Sequence, residues 1–154
     1  MNMEANNNLG RPSFVEKGYG AVIERAESAN NSLDVRHNQH GNLTDIDTET
    51  LRAAQAFMEA VAGRYDMIGA ILFGSRARKS HRPDSDADVA VLLHGQPGRF
   101  VATKLAMDDL AYDVLLHTGI RIQPLPIWEE EWKHPEAYSN PRLLVNIERE
   151  GIRL

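Results

Sequence analysis

The residues whose types and spacing suit chemistry lie in one stretch. It reads Leu72-Phe73-Gly74-Ser75-Arg76-Ala77-Arg78, then Lys79 to Ser85, then Asp86-Ala87-Asp88-Val89-Ala90-Val91. A strand that ends in Gly74-Ser75 and turns sharply into a helix exposes backbone N–H groups. Glycine lets the chain approach a phosphate closely, and a helix N-terminus favours its negative charge. The Ser75 hydroxyl adds a hydrogen-bond donor for a phosphate oxygen. Asp86 and Asp88 are two apart on a predicted strand, so they point to the same face, some ~6–7 Å apart along the chain. Two carboxylates held side by side repel each other and gain from a divalent cation. Magnesium takes oxygen ligands, commonly one or two carboxylates plus nucleotide phosphates. There it would neutralise charge building on a pyrophosphate leaving group. Arg76, Arg78, Lys79 and Arg82 place four cations within seven residues, close enough to such a turn to stabilise a triphosphate.

Regular elements must hold this stretch in place. Asp45, Asp47 and Thr48 are N-cap candidates, and Leu51, Ala54, Met58 and Val61 recur at spacings of three and four, which predicts an amphipathic helix ending near Gly63. Ile68 to Phe73 is a short apolar run that suits a buried strand stopped by Gly74. Val89 to Leu93 predicts a second strand whose leading edge carries the acids. After a loop at Gln96-Pro97-Gly98, residues Phe100, Met107, Leu110 and Val114 outline a second helix closed by Gly119. Ile120 to Leu125 predicts a third strand, which Pro124 and Pro126 push towards a sheet edge or a strand end. Trp128–Trp132 reads as an acidic turn. Asn140 caps a last helix with Pro141 at its first position, Leu143, Leu144 and Ile147 as its stripe, and Gly151 after its end. The order helix, strand, strand, helix, strand, helix predicts one α/β or α+β domain with a small mixed sheet backed by helices.

Composition bounds the alternatives. A chain of 154 residues accommodates one compact domain, and 42% apolar residues is a globular composition. Residues 1–43 differ from the rest, being rich in Asn, Gly and Ser. They are expected to be a flexible N-terminal arm, with a helix candidate only near Ala21–Ala29, and residues 44–154 are expected to be the domain. The absence of cysteine fits a reducing cytoplasm, which is the expected location. No stretch approaches the roughly 18–20 apolar residues that span a bilayer, and no signal pattern opens the chain. A net charge of −5 argues against general nucleic-acid binding.

Gly-Ser, ten intervening residues, then Asp-x-Asp followed by alternating apolar residues resembles the signature of the polymerase-β-like nucleotidyltransferase superfamily. The short chain is most similar to its minimal members, among them the antitoxins paired with HEPN-type ribonuclease toxins. The resemblance covers about residues 46–127. It implies a magnesium-dependent enzyme that moves AMP from ATP to an acceptor hydroxyl. Gly74 and Ser75 would hold the triphosphate, Asp86 and Asp88 would ligate metal and carry catalysis, and Arg76 would be a phosphate contact. It also implies a third carboxylate on the next strand. Here Gln123 stands about where that residue should fall, and an amide neither acts as a general base nor binds a cation as strongly. Asp113 precedes that strand on a predicted helix, and Glu129, Glu130 and Glu131 follow it.

About thirty residues follow the third strand, too few for the acceptor-gripping domain usual in small-molecule nucleotidyltransferases. The leading expectation is therefore AMP transfer to a protein, with a HEPN-type toxin as partner and this chain as its antitoxin. A small-molecule nucleotidyltransferase working as a homodimer, and a non-catalytic module that neutralises a partner by contact, stay open beside it. Other features have plainer readings. The six histidines show no ligand spacing. Asp108 and Asp109 suit the wet face of a helix. Trp128 and Trp132, four apart, would meet on one side of a helical turn, as edge packing or as an aromatic anchor.

Overall fold

The computed structural model describes residues 41–154, all within one compact unit, 35–154. The arm expected over residues 1–43, with its helix candidate near Ala21–Ala29, lies outside the described residues except for its last three. Of these, Leu43 already opens a 3-10 turn, Leu43–Asp45.

Helix α1, Thr48–Ala62, starts where the Asp47 side chain accepts a hydrogen bond from the Thr50 N–H, a side-chain N-cap, and ends at Gly63. Strand β1, Met67–Phe73, leads into a single helical turn, α2, Gly74–Ala77. Strand β2, Ala87–Leu93, is followed by the long helix α3, Phe100–Thr118, and strand β3, Ile122–Trp128. A short helix α4, Glu129–Lys133, precedes α5, Pro141–Glu150, which Asn140 caps through the Leu143 N–H. The chain closes with a two-residue strand β4, Ile152–Arg153.

The four strands form one mixed sheet in the order β3-β2-β1-β4. β1 runs antiparallel to both β2 and β4, whereas β2 and β3 are parallel. Alternation along β2 divides the core. Val89, Val91 and Leu93 pack with Phe57 and Val61 of α1 and Met107, Leu110 and Val114 of α3. Ala90 and Leu92 face the other way, against Ile71, Ile127 and α5 residues Leu144 and Ile147. No helix among the described residues is long and apolar enough to cross a membrane.

The predicted α/β sheet and its three long helices are thus present, with four differences. β3 runs on to Trp128, where the sequence pattern stops at Leu125. Pro124 and Pro126 pair with Val89 and Val91 on an edge strand; being two apart, they turn their missing donors to the same open side. Trp128 therefore ends a strand and is buried on the α1/α3 face, while Trp132 packs on the opposite face, so the two indoles do not meet. Phe100, expected in the α3 stripe, is exposed, because the buried residues of α3 begin at Met107, about two turns later. β4 carries too few residues to be read as a strand. It forms because Gly151, with no Cβ, lets the chain pass tightly against Ile71 and the Ile147 carbonyl and pair with β1.

Candidate active site

β1 and β2 set the two halves of the motif side by side. Phe73 pairs with Asp88 in the antiparallel ladder, so the Gly-Ser turn lies directly against the Asp-x-Asp segment. Gly74 has φ +72°, a left-handed conformation that favours glycine, and a Cβ there would overlap the Asp88 carboxylate. Glycine is needed at this position for the backbone turn and for the approach of that carboxylate. The helix that follows is a single turn, four residues long. Any attraction for phosphate therefore comes from the first-turn N–H groups, which have no intrahelical acceptor, rather than from a long helix dipole.

Asp86 lies one residue before β2 and Asp88 is its second residue. Asp88 shares the sheet face of Ala90 and Leu92, and Gln123, its register partner on β3, shares that of Leu125 and Ile127. The Gln123 amide Nε2 donates to Asp86 Oδ2 at 3.2 Å. Position 123 is thus where a third side chain meets the acid pair, but it holds an amide. Arg121, largely exposed, approaches the same oxygen at 3.9 Å. Asp113 lies on α3, and Glu129 bonds His94, so neither replaces the third acid.

Burial and the neighbouring Asp86 charge push the Asp88 carboxyl above its ordinary pKa, and Arg78 opposes them. Two hard oxygen donors side by side, with Asp86 raising the cost of ionising Asp88, suit a divalent cation. Among the described residues, no cluster of three or more His, Asp or Glu could hold a metal. The donor set fits a magnesium ion whose remaining ligands are phosphate oxygens and water.

The basic cluster is not presented as a unit. Arg76 is 4% exposed. Its guanidinium donates to Thr50 Oγ1 at 2.7 Å, to the Ser85 carbonyl at 2.8 and 2.9 Å and to the Pro83 carbonyl at 3.2 Å. It also lies 3.9 Å from Asp47. The sequence offered Arg76 as a phosphate contact; the structure instead aims it inward, tying the start of α1 to the loop that delivers Asp86. Lys79 pairs with Asp45 at 2.8 Å. Arg78 lies near Asp88 and 3.6 Å from Glu150. Sequence reasoning missed Thr50 and Asp47 as the other anchors of this brace. Their capping pattern was visible, but a link to Arg76 across 26 positions left no local signal.

The polymerase β nucleotidyltransferase family model matches residues 57–130, from within α1 through β3, a span that contains Gly74, Ser75, Asp86, Asp88 and Gln123. Those residues are similar to a nucleotidyltransferase domain. A solved structure from Sulfolobus solfataricus, described provisionally as a nucleotidyltransferase, aligns with this chain at 22% identity. It covers 56% of this chain and 76% of its own, with a TM-score of 0.42. No curated protein is similar enough to match. In this nucleotidyltransferase-like domain, Gly74, Ser75, Asp86 and Asp88 occupy one end of β1 and β2, and Gln123 closes the group from β3.

Proposed function

We propose that this domain transfers AMP from ATP to a hydroxyl of a protein, with magnesium as cofactor, and that the chain serves as antitoxin to a HEPN-type ribonuclease toxin. The observation that carries the transferase part is the abutment of Gly74 on Asp88, with Asp86 beside it. This puts N–H donors for phosphate and oxygen ligands for a cation at one spot. Asp86 and Asp88 would hold the magnesium ion, which would neutralise charge on the triphosphate. The Gly74-Ser75 turn would fix the triphosphate against them. The acceptor oxygen attacks the α-phosphorus, the bond to the β-phosphate oxygen breaks, pyrophosphate leaves, and the acceptor proton passes to solvent or to a base supplied by the acceptor. Gln123 cannot take that proton.

A protein acceptor is favoured by the exposed apolar side of α3, a feature a small-molecule pocket does not need. Gln123 supports a second reading, a domain that has lost transfer and neutralises its partner by contact alone. The test uses radiolabelled ATP, magnesium and a lysate of the native host, comparing this chain with Asp86→Ala. Label on one discrete protein, with the unaltered chain only, is the expected result. No labelled macromolecule would put contact-only neutralisation, or a small-molecule acceptor handled by a homodimer, ahead.

A further inference from the structure

Helix α3 is apolar on two opposite sides. Met107, Leu110, Ala111 and Val114 are buried against the sheet. Val101, Leu105, Tyr112 and Leu116 follow one another at spacings of four, seven and four, so they fall on a single stripe pointing away from that core. They are 69%, 59%, 59% and 66% exposed. A continuous apolar stripe of about 23 Å, from a rise of about 1.5 Å per residue, is far more than scattered surface leucines.

The stripe is bordered by charge of one prevailing sign. Asp109 and Asp113 are exposed along one margin, and Asp108 lies on the other, where Lys104 bonds it at 2.9 Å. The same margin opens into a cavity of about 240 Å³ between α3 and the start of β3. Lys104, Asp108 and Tyr112 line it from the helix, and Arg121 and Gln123 from the strand. Gln123 in turn touches Asp86. The exposed stripe therefore borders a cavity that reaches Gln123, whose amide bonds Asp86.

We propose that this face of α3 is the docking surface for the protein acceptor, and that the element docked there is an amphipathic helix whose apolar side is flanked by Lys and Arg. The inference rests on the protein-acceptor reading above and adds the surface and the chemistry of the partner. Charge chooses the occupant. A second copy of this chain, laid antiparallel about a two-fold axis, would set the middle of the stripe, Asp108 and Asp109, against its own copy. Like charges meet there, whereas a basic-flanked helix is attracted to Asp108, Asp109 and Asp113 along the middle and C-terminal part of the stripe. The cavity beside Gln123 then receives the segment carrying the acceptor hydroxyl.

The test compares the unaltered chain with a Leu105→Glu/Leu116→Glu double variant and an Asp109→Lys/Asp113→Lys double variant. Labelling of host protein by radiolabelled ATP is read in each, with melting temperature and magnesium-ATP binding by calorimetry as controls. Both variants should melt and bind nucleotide as the parent does. Labelling should drop at least tenfold in the first and several-fold in the second. Undiminished labelling in both would overturn the proposal. If the unaltered chain labels no protein, the acceptor reading fails, and the surface is judged by a benzophenone photocrosslinker at position 116. An adduct mapped to a Lys/Arg-flanked amphipathic helix supports the surface; an adduct to a second copy, or none, overturns it.

Discussion

The α-carbon of Gly74 rests against the carboxylate of Asp88, with no room for a methyl group between them. The turn and the acid pair are thus one packed unit, and a change to either side moves the other. Gly74→Ala meets both a left-handed φ and this contact. A loss of about 1–3 kcal/mol in chemical denaturation is expected, from strain at a φ that L side chains rarely adopt. AMP transfer should fall to background. Ser75→Ala leaves the backbone intact and should lower transfer with little change in stability.

The Asp88 carboxyl titrates above its ordinary value of 3.8 because it is partly buried and faces Asp86. For a raised folded-state pKa, the stability contribution is fullest below the unfolded value and is lost as pH rises through the folded one. Without metal, the charged pair therefore opposes folding near neutral pH. Asp88→Asn should melt at or above the parent's temperature at pH 7 without magnesium, yet be inactive. Magnesium with ATP should raise the melting temperature of the parent and not of the variant. Thermal melts between about pH 4 and pH 7 check both signs.

Gln123→Glu would put a carboxylate where the amide now donates to Asp86 Oδ2 at 3.2 Å. If the domain lacks only this group, transfer should rise roughly 10²-fold or more, the range typical of one positioned general base. The metal-free variant should melt lower than the parent, since three acids then share one spot. Single-turnover labelling with and without magnesium measures the gain; no gain would assign the shortfall elsewhere.

Arg76→Met leaves the Ser85 and Pro83 carbonyls and Thr50 without their shared donor. A loss of about 2–3 kcal/mol is expected, the cost of leaving buried polar groups unpaired. Nucleotide binding should weaken only through the displaced loop before Asp86. Arg76→Lys should recover little, because an ammonium cannot reproduce the guanidinium's separate donors in fixed directions. Denaturation midpoints and magnesium-ATP affinity, measured on both variants, separate this bracing role from direct phosphate contact.

Local chemistry determined much of this protein from its sequence. Caps and stops are written in short spans, so Asp47 and Gly63 bracket α1 and Asn140 and Gly151 bracket α5 as the residue types dictate. The short apolar run Val89–Leu93 marked β2, and two prolines pointed β3 towards an edge or a strand end. The motif spacing offered Gly74, Ser75, Asp86 and Asp88 as one group, and the antiparallel pairing of β1 and β2 sets those segments side by side.

Contacts between distant positions were decided only in three dimensions. Arg76 looks like a phosphate cation until Thr50 and Ser85 enclose it, and the sign of a side chain does not say which way it points. Trp128 and Trp132, neighbours by helical spacing, part because pairing with β2 extends β3 through residue 128 and sends the indoles to opposite faces. Periodicity alone did not decide which apolar side of α3 is exposed, since residues at helical spacing fall on two opposite faces of that helix. Sequence periodicity reports how one element is built. Which face meets the sheet, and which is left exposed, is settled by packing against the rest of the chain.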